Sequence, residues 1–296
     1  MNNNSSNEPL HGPRESMEYD VVIAGGGPAG LSAAIRIKQS AARHGCDFSV
    51  AVLEKGAEVG AHILSGAIMD TRALDELLPD WRQMDAPLRQ PVTQEDVLFL
   101  SETGSRATPH WLLPECLRND GNHVVSLGAV CKWLAQEAER LGVDIFPGFA
   151  ATEVLFDAQN RVRGVATGDM GIGKDGQPRA SFQRGMELLG KYTLFAEGAR
   201  GHLGKRLIAH YRLDEGRDPS SWAIGIKELW EIPAKQAQPG LVLHTAGWPS
   251  TDDSFGGGFL YHLEDNMVSL GYVLGLNYTN PWISPFEEMQ RWKLHP

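Results

Sequence analysis

The hydrophobic pattern divides the chain into two regions. Up to about residue 200, short apolar runs alternate with segments of helical periodicity. Residues 21–24 and 48–53 predict buried parallel strands. Residues 31–43 and 127–141 predict helices, and Gly142 follows the second of them as a stop signal. This order of strands and helices is typical of an α/β fold built on a parallel sheet.

Further apolar runs extend this sheet, and then the pattern changes. Residues 143–146 predict a third parallel strand, and residues 186–196 predict a strand that returns to the sheet. Between them, residues 152–156 and 162–167 predict an antiparallel pair. Beyond residue 221 the runs indicate a second, antiparallel sheet. Its strands are predicted at 222–230, 241–246, 258–262 and 267–274, and a helix begins at 285.

The first strand leads directly into a glycine-rich turn. Gly25 permits a tight strand-to-helix turn, and Gly27 lets backbone N–H groups approach a pyrophosphate at the helix N-terminus. Gly30 lets the helix pack closely on the strand. Glu54 ends the second strand, where a carboxylate can accept hydrogen bonds from both ribose hydroxyls of an adenosine and repel a 2′-phosphate. The turn therefore predicts a dinucleotide site that disfavours NADP.

Three other glycine-containing segments are less specific. A second G-x-G-x-x-G motif at residues 171–176 is followed by Pro178, so it is predicted to be a hairpin loop. Glu197 and Gly198 follow an apolar strand and precede a basic helix start. That order indicates either a second cofactor contact or an ordinary strand-to-helix turn. Residues 56–70 are rich in small residues and could lie against a flat cofactor.

Composition narrows the class of protein. The chain has 296 residues, of which 42% are hydrophobic and 22% charged, as in soluble globular proteins. A net charge of −10 argues against a nucleic-acid partner. Cys46, Cys116 and Cys131 are too scattered for an iron–sulfur site and are interpreted as structural. No run of about 18 apolar residues predicts a spanning helix. Residues 1–17 are polar, show no signal or transit peptide, and predict a disordered tail.

Several motifs together resemble one family. They lie at residues 21–30, 53–55, 60–67, 193–198, 225–230, 255–263 and 285–293. With them, the chain resembles the N-terminal portion of the electron transfer flavoprotein–ubiquinone oxidoreductase family over nearly its whole length. The resemblance implies an α/β, Rossmann-like FAD-binding domain at 18–220 with inserted strands around 82–121. An antiparallel quinone-binding domain at 221–284 and the start of a helix at 285–296 complete the expected organisation.

The resemblance also implies site residues. Gly25, Gly27 and Gly30 would hold the FAD pyrophosphate and Glu54 the ribose. The other implied FAD-binding residues are Lys55, His62, Ser65, Gly66, Glu197 and Gly198. Gly256 and Gly257 would bind the quinone head group through their backbone, which glycine leaves unobstructed. Without the resemblance, these two glycines would equally indicate a β-bulge or hairpin.

The implied activity is a relay of electrons. Reduced electron transfer flavoprotein would pass electrons through FAD to ubiquinone at a membrane surface, peripherally on the cytoplasmic side of a bacterial inner membrane. A 4Fe-4S cluster is expected only in the full-length protein, because its cysteine ligands lie in a C-terminal region absent from this chain. The flavin carries the chemistry, so no catalytic base and no metal ligand are assigned. His62 is the only candidate base and is interpreted as structural.

Two questions stay open. Residues 71–81 predict a short amphipathic helix with Leu74, Leu77, Leu78 and Trp81 on one face, and from the residues alone this face is interpreted as facing the core. The resemblance implies instead that residues 59–81 contact the membrane, where tryptophan suits the interface. The alternative functions are a cluster-free FAD-dependent dehydrogenase of the geranylgeranyl-reductase-like or FixC-like type, or an inactive fragment.

Overall fold

The computed structural model describes residues 12–64, 66–250 and 254–296. The helices are α1 (Pro28–Arg43), α2 (Arg72–Leu77), α3 (Leu127–Arg140), α4 (His202–Tyr211) and α5 (Pro285–Lys293). The strands are β1 (Ser16–Ala24), β2 (Val50–Glu54), β3 (Ala67–Met69), β4 (Gln90–Pro91), β5 (Gln94–Leu100), β6 (Ser105–Ala107), β7 (His123–Val125), β8 (Val143–Pro147), β9 (Ala151–Phe156), β10 (Val162–Thr167), β11 (Met170–Ile172), β12 (Pro178–Gln183), β13 (Glu187–Phe195), β14 (Ala223–Glu231), β15 (Leu241–Gly247), β16 (Gly256–His262) and β17 (Met267–Gly275). The chain divides into two compact units. The first unit runs to His62 and resumes at Cys131–Glu215, and the second comprises Ile63–Val130 and Gly216–Pro296.

A six-stranded sheet forms the centre of the first unit. Its order is β8-β2-β1-β13-β10-β9, with the first four strands parallel and the last two joined antiparallel. Val21, Val22 and Ile23 are all buried, because both faces of this parallel sheet are covered. The predicted parallel strands, the antiparallel pair and the returning strand are confirmed.

Helix α1 begins immediately after the glycine turn. Gly27 is its N-cap and Pro28 its first residue, where the fixed φ of proline suits a helix start and its missing N–H is not needed. Leu31, Ala34 and Ile35 are fully buried on the face toward the sheet. The helix therefore points its N-terminus at the end of β1, as the sequence predicted.

The second G-x-G-x-x-G motif lies in a hairpin, as predicted. Strands β11 and β12 pair antiparallel. The Gly173 amide donates to the carbonyl oxygen of Gln177 at 2.8 Å, and the Gly176 amide donates to Gly173 at 2.9 Å. These bonds close the loop on itself, without a helix N-terminus nearby.

The second unit contains a six-stranded sheet and a small three-stranded one. The larger sheet has the order β14-β17-β16-β15-β5-β6, in which only the β15–β5 pairing is parallel. The smaller sheet has the order β3-β7-β4. On one face of the larger sheet, Tyr272 and Leu274 pack with Met289 and Trp292 of α5. The predicted antiparallel sheet and the helix after it are confirmed.

Two domain boundaries differ from those expected. Strands β5 and β6, expected as an insertion in the 18–220 domain, join the sheet that was predicted for 221–284. At the N-terminus, Ser16 and Met17 belong to β1 and pair with Glu187 and Leu188, so the predicted tail of 1–17 is too long. Residues 1–11 of that tail lie outside the described residues.

The predicted helix at 71–81 is shorter and faces the core. Helix α2 ends at Leu77 because Pro79 disfavours helical backbone at the residue before it. Leu74, Leu77 and Trp81 are buried, and the Trp81 indole donates to Asp75 Oδ1 at 2.8 Å. This face is therefore core, and the expectation that it contacts lipid is wrong. In the described ranges, no helix is both long and apolar enough to cross a bilayer.

Candidate functional site

The glycine turn of the first unit is built around two close backbone approaches. Gly25 has φ +117°, and a Cβ there would collide with the carbonyl oxygen of Ala196 at the end of β13. A Cβ on Gly30 would collide with the carbonyl oxygen of Gly25. The Gly25 amide donates to Leu53 at 2.8 Å. Both glycines are therefore needed by the turn itself.

Gly27 differs from these two glycines, because no heavy atom lies within 4 Å of a Cβ placed there. Its backbone is extended, and no side chain caps the N-terminus of α1. The first amides of a 16-residue helix thus face open space. Such a helix N-terminus favours a phosphate.

Glu54 stabilises the turn through both carboxylate oxygens. Oε2 accepts a hydrogen bond from the Gly26 amide at 3.0 Å, and Oε1 accepts one from the Gly56 amide at 2.6 Å. Each oxygen retains a lone pair that could accept a ribose hydroxyl. Lys55 and His62 are exposed in the same unit.

Glu197 caps helix α4. Its Oε2 accepts from the Gly204 amide at 2.8 Å and its Oε1 from the Leu203 amide at 3.2 Å. His202 Nδ1 lies 3.3 Å from the same carboxylate. The Glu197 side chain thus stabilises the strand-to-helix turn. An ordinary turn of this kind was one of the two alternatives that the sequence left open. Gly198 has φ +80° and open space beside it, so a cofactor contact of this segment stays a prediction.

In the second unit, Gly66 lies against the sheet. Gly66 is buried, and a Cβ there would collide with the side chain of Ser269. Lys227 Nζ donates to the Gly66 carbonyl at 2.6 Å, and burial lowers the pKa of Lys227. Ser65, predicted with Gly66, lies outside the described residues.

A pocket of about 390 Å³ opens on this face of the sheet. Phe259 and Tyr261 stack with ring centres 4.8 Å apart, and Lys227 Nζ lies 5.5 Å from the Phe259 ring centre. The lining residues are Gly66, Ala67, Ile68, Gly225, Ile226, Lys227, Phe259, Tyr261 and Val273. An aromatic floor with one ammonium group suits a flat ring that carries carbonyl oxygens.

The predicted quinone-binding glycines begin strand β16 beside this pocket. Gly257 pairs with Val273, which lines the pocket, and with Ala246. Alternation along the strand places Gly257 on the same face as Phe259 and Tyr261. A Cβ on Gly257 would collide with the carbonyl of Thr245, and one on Gly256 would lie 3.0 Å from Ser250 Oγ. The sheet therefore needs small residues here whether or not a ligand binds.

Three polar side chains near the pocket escaped the sequence reasoning. His244 Nε2 lies 2.9 Å from Tyr261 Oη, and His244 Nδ1 lies 4.0 Å from Glu95 Oε1. Burial lowers the pKa of His244, and burial first, with Glu95 second, raises the pKa of Tyr261 to about 12. Strand alternation could have placed His244 and Tyr261 on one face. The sequence carried no signal for the parallel β5–β15 pairing that brings in Glu95.

The cysteines differ in part from expectation. Cys131 is buried, and burial raises the pKa of its thiol to about 11, as suits a structural role. Cys46 and Cys116 are exposed, so their interpretation as buried structural residues is wrong. Among the described residues, no group of three or more His, Cys, Asp or Glu side chains could hold a metal ion.

The parallel sheet, the glycine turn and the open helix N-terminus define a dinucleotide-binding protein of the Rossmann-like class. Residues 23–78 match a family model described as an NAD(P)-binding Rossmann-like domain, and residues 222–296 match one described as ETF-QO, ubiquinone-binding. The chain is 58% identical over 96% of its length to a probable electron transfer flavoprotein-ubiquinone oxidoreductase of Acinetobacter baylyi, and 55% identical over 96% to the Pseudomonas aeruginosa enzyme. These matches confirm the predicted resemblance to the N-terminal portion of the electron transfer flavoprotein–ubiquinone oxidoreductase family.

The chain spans about half the length of the curated relatives it matches, covering 50% of the Acinetobacter protein and 52% of the Pseudomonas protein. Among solved structures, it resembles a geranylgeranyl bacteriochlorophyll reductase-like protein from Thermoplasma acidophilum. That similarity has a TM-score of 0.61 and 18% identity and covers 94% of this chain and 61% of the other. At this identity the likeness shows the fold alone.

Proposed function

We propose that this chain supplies the FAD-binding and quinone-binding parts of an oxidoreductase that passes electrons from reduced electron transfer flavoprotein to ubiquinone. The observation that carries the proposal is the aromatic pocket beside Gly257, most of whose lining residues belong to the region that matches a ubiquinone-binding family model. The geranylgeranyl-reductase-like alternative is less favoured, since it is supported by fold likeness only.

The first unit fits FAD at the glycine turn. The open space at Gly27 admits a pyrophosphate to the amides of α1, and the free lone pairs of Glu54 accept ribose hydroxyls. When bound, the flavin would accept two electrons and release them singly. The further FAD contacts that we propose are Lys55, His62, Ser65, Gly66, Glu197 and Gly198. The 4Fe-4S cluster belongs to the proposal for the longer protein.

Quinone binding is proposed at Gly256 and Gly257. Gly257 pairs with Val273, which lines the pocket of Phe259 and Tyr261, and Gly256 precedes it on β16. In this pocket a ring can stack on the aromatic side chains, and its oxygens can meet neighbouring backbone groups. Lys227 supplies a positive charge that stabilises electron density arriving on a quinone oxygen.

The test uses the purified protein with reduced electron transfer flavoprotein as donor and a short-chain ubiquinone as acceptor. We expect flavin absorbance bands, quinone reduction, and loss of both in Gly27→Val, because a branched side chain fills the open space at the helix N-terminus. Val165→Ala, a core change in the same sheet, is the matched control for nonspecific destabilisation. A protein that binds FAD but reduces no quinone with this donor would refute the proposal.

Membrane contact is proposed through exposed apolar side chains in the short turns at His110–Leu112 and Glu115–Leu117. Trp111 is 74% exposed, Leu112 56% and Leu117 49%. Tryptophan and leucine of this kind partition into the bilayer interface, and cytoplasmic-side attachment would follow from the proposed activity. We expect Trp111→Ser with Leu112→Ser to weaken flotation with phosphatidylethanolamine vesicles. The control is Tyr192→Ser, an equally exposed aromatic in the first unit, and equal flotation of both variants would contradict the assignment.

A further inference from the structure

Polar side chains from three neighbouring strands form a line that ends in the aromatic pocket. Glu95 lies on β5, His244 on β15 and Tyr261 on β16, and these strands are consecutive in the sheet. The separations along the line are 4.0 Å from Glu95 Oε1 to His244 Nδ1 and 2.9 Å from His244 Nε2 to Tyr261 Oη. Tyr261 lines the pocket and is the inner end of the line.

The outer end of the line reaches solvent. The Glu95 side chain is only 5% exposed and accepts hydrogen bonds from the amide and the side-chain nitrogen of Asn119. His110 Nε2 lies 3.7 Å from Glu95 Oε2 and 3.4 Å from Asp120 Oδ2, and its side chain is about half exposed. A buried carboxylate between two imidazoles, one of them in contact with water, is a costly arrangement for a purely structural core.

Quinone chemistry requires protons at this place. Reduction of a quinone to a quinol consumes two electrons and two protons, and the pocket is lined mainly by apolar groups and glycines. Of its two acidic groups, the Lys227 ammonium already donates a hydrogen bond to the Gly66 carbonyl. Tyr261 is the other side chain in the pocket lining with a transferable proton, and it is the one that meets the line of titratable groups reaching solvent.

We propose that Glu95, His244 and Tyr261 form a proton path that supplies the quinone bound in this pocket; the proposal rests on the quinone reduction proposed above. As electrons that originate from reduced electron transfer flavoprotein reach the quinone, the Tyr261 hydroxyl gives its proton to a quinone oxygen. The Oη–H bond breaks and a new O–H bond forms on the ring. The proton on Nε2 of the His244 imidazolium then moves to Tyr261 Oη, and a solvent proton arriving past His110 and Glu95 recharges His244. A second passage completes the quinol.

The charges around the line determine its pH response. Burial keeps the pKa of His244 below its ordinary value, while the Glu95 carboxylate opposes that shift. His110 and Asp120 face Glu95 from the loop side, and Lys227 faces the pocket from β14. The protonated form of His244, which donates the proton, becomes scarcer as pH rises above this lowered pKa. Quinone reduction should therefore fall as pH rises through the lowered pKa of His244.

The experiment compares Tyr261→Phe with a matched control, Tyr272→Phe. Tyr272 is a buried tyrosine of the same sheet, and it packs on the face that α5 covers. Its hydroxyl forms a hydrogen bond with the hydroxyl of Ser250. Each protein is assayed with short-chain ubiquinone, which takes up protons, and with ferricyanide, which takes one electron and no proton. We expect the ratio of quinone to ferricyanide turnover to fall about 100-fold in Tyr261→Phe, the lower range for a positioned general acid. The ratio should stay at the wild-type value in Tyr272→Phe.

A second variant separates proton supply from packing. His244→Gln keeps a hydrogen-bonding side chain but cannot titrate, so the pH dependence of quinone turnover should flatten and its solvent deuterium isotope effect should change. An unchanged quinone-to-ferricyanide ratio in Tyr261→Phe, or a wild-type pH profile in His244→Gln, would overturn the proton path. Wild-type protein that reduces ferricyanide but no quinone would instead refute the proposed function, so the two failures are distinguishable.

Discussion

Two glycines of one turn should respond in opposite ways to the same substitution. A methyl group on Gly30 would collide with the carbonyl oxygen of Gly25, which is backbone and cannot rotate away. A methyl group on Gly27 would meet no heavy atom within 4 Å. The structure thus assigns Gly30 to the fold and Gly27 to the ligand.

The magnitudes follow from these surroundings. Overpacking of this kind costs about 1–3 kcal/mol, so Gly30→Ala should lower the melting temperature by about 2–4 °C for each kcal/mol lost. At Gly27, the extended backbone suits alanine, and the gain of about 0.4–1 kcal/mol from a stiffer unfolded chain offsets the weaker N-cap. Gly27→Ala should therefore keep wild-type stability. Its Cβ would stand where a pyrophosphate approaches, and losing one charge-assisted hydrogen bond of about 1.5–3 kcal/mol weakens FAD binding about 10- to 100-fold.

The assay pairs urea unfolding of the FAD-free protein, followed by far-UV circular dichroism, with a fluorescence titration of FAD. We expect Gly30→Ala to shift the unfolding midpoint and Gly27→Ala to shift the FAD dissociation constant alone. A Gly27→Ala protein that binds FAD like the wild type would refute the ligand assignment. A Gly30→Ala protein with an unchanged midpoint would refute the packing argument.

Three further substitutions test the structure at other points. Glu197→Ala removes the cap of α4 and should cost about 1 kcal/mol in urea unfolding, whereas an unchanged midpoint would deny the capping role. Trp292→Phe removes the buried indole donor to Thr245 Oγ1, 2.9 Å away, and should cost about 1–3 kcal/mol, measured by thermal unfolding against Trp282→Phe, whose ring is exposed. The pKa of Asp20 is lowered to about 2, chiefly because its carboxylate accepts a hydrogen bond from Lys191 Nζ. The ionised carboxylate therefore stabilises the fold above pH 3.8, and this stabilisation is lost as pH falls toward 2. Acid unfolding of Asp20→Asn should therefore begin from a lower stability and change less over that interval.

Local patterns predicted the first unit well. The helix after Gly25 and the antiparallel pair at 152–167 depend on contacts between residues close in the chain, and the run before Gly25 carries the unbroken apolar pattern of a strand buried on both faces. Their hydrophobic periodicity is therefore enough to define them. The hairpin at 170–183 was also predicted, because Pro178 excluded a helix after its glycines.

Long-range pairing explains what the sequence did not show. Strand β5 joins β15 in parallel across about half the chain, and neither strand carries a local mark of its partner. The same pairing brings Glu95 near His244. Helix α2 was predicted too long. Its apolar face could contact either the core or a membrane, and the burial of its side chains shows that it contacts the core. Amphipathicity shows that a face is apolar, but it does not show what covers it.

The two carboxylates that the sequence assigned to cofactor contact both bind backbone amides in the first unit. Glu54 binds the amides of Gly26 and Gly56, and Glu197 binds those at the start of α4. Glu54 ends β2 and Glu197 follows β13, so each carboxylate fixes the turn that leaves its strand. Turns held in this way need little ordering when a ligand arrives, which lowers the entropic cost of binding. Substituting Glu54 should therefore weaken FAD binding even where the lost contact is to the protein and not to the ribose.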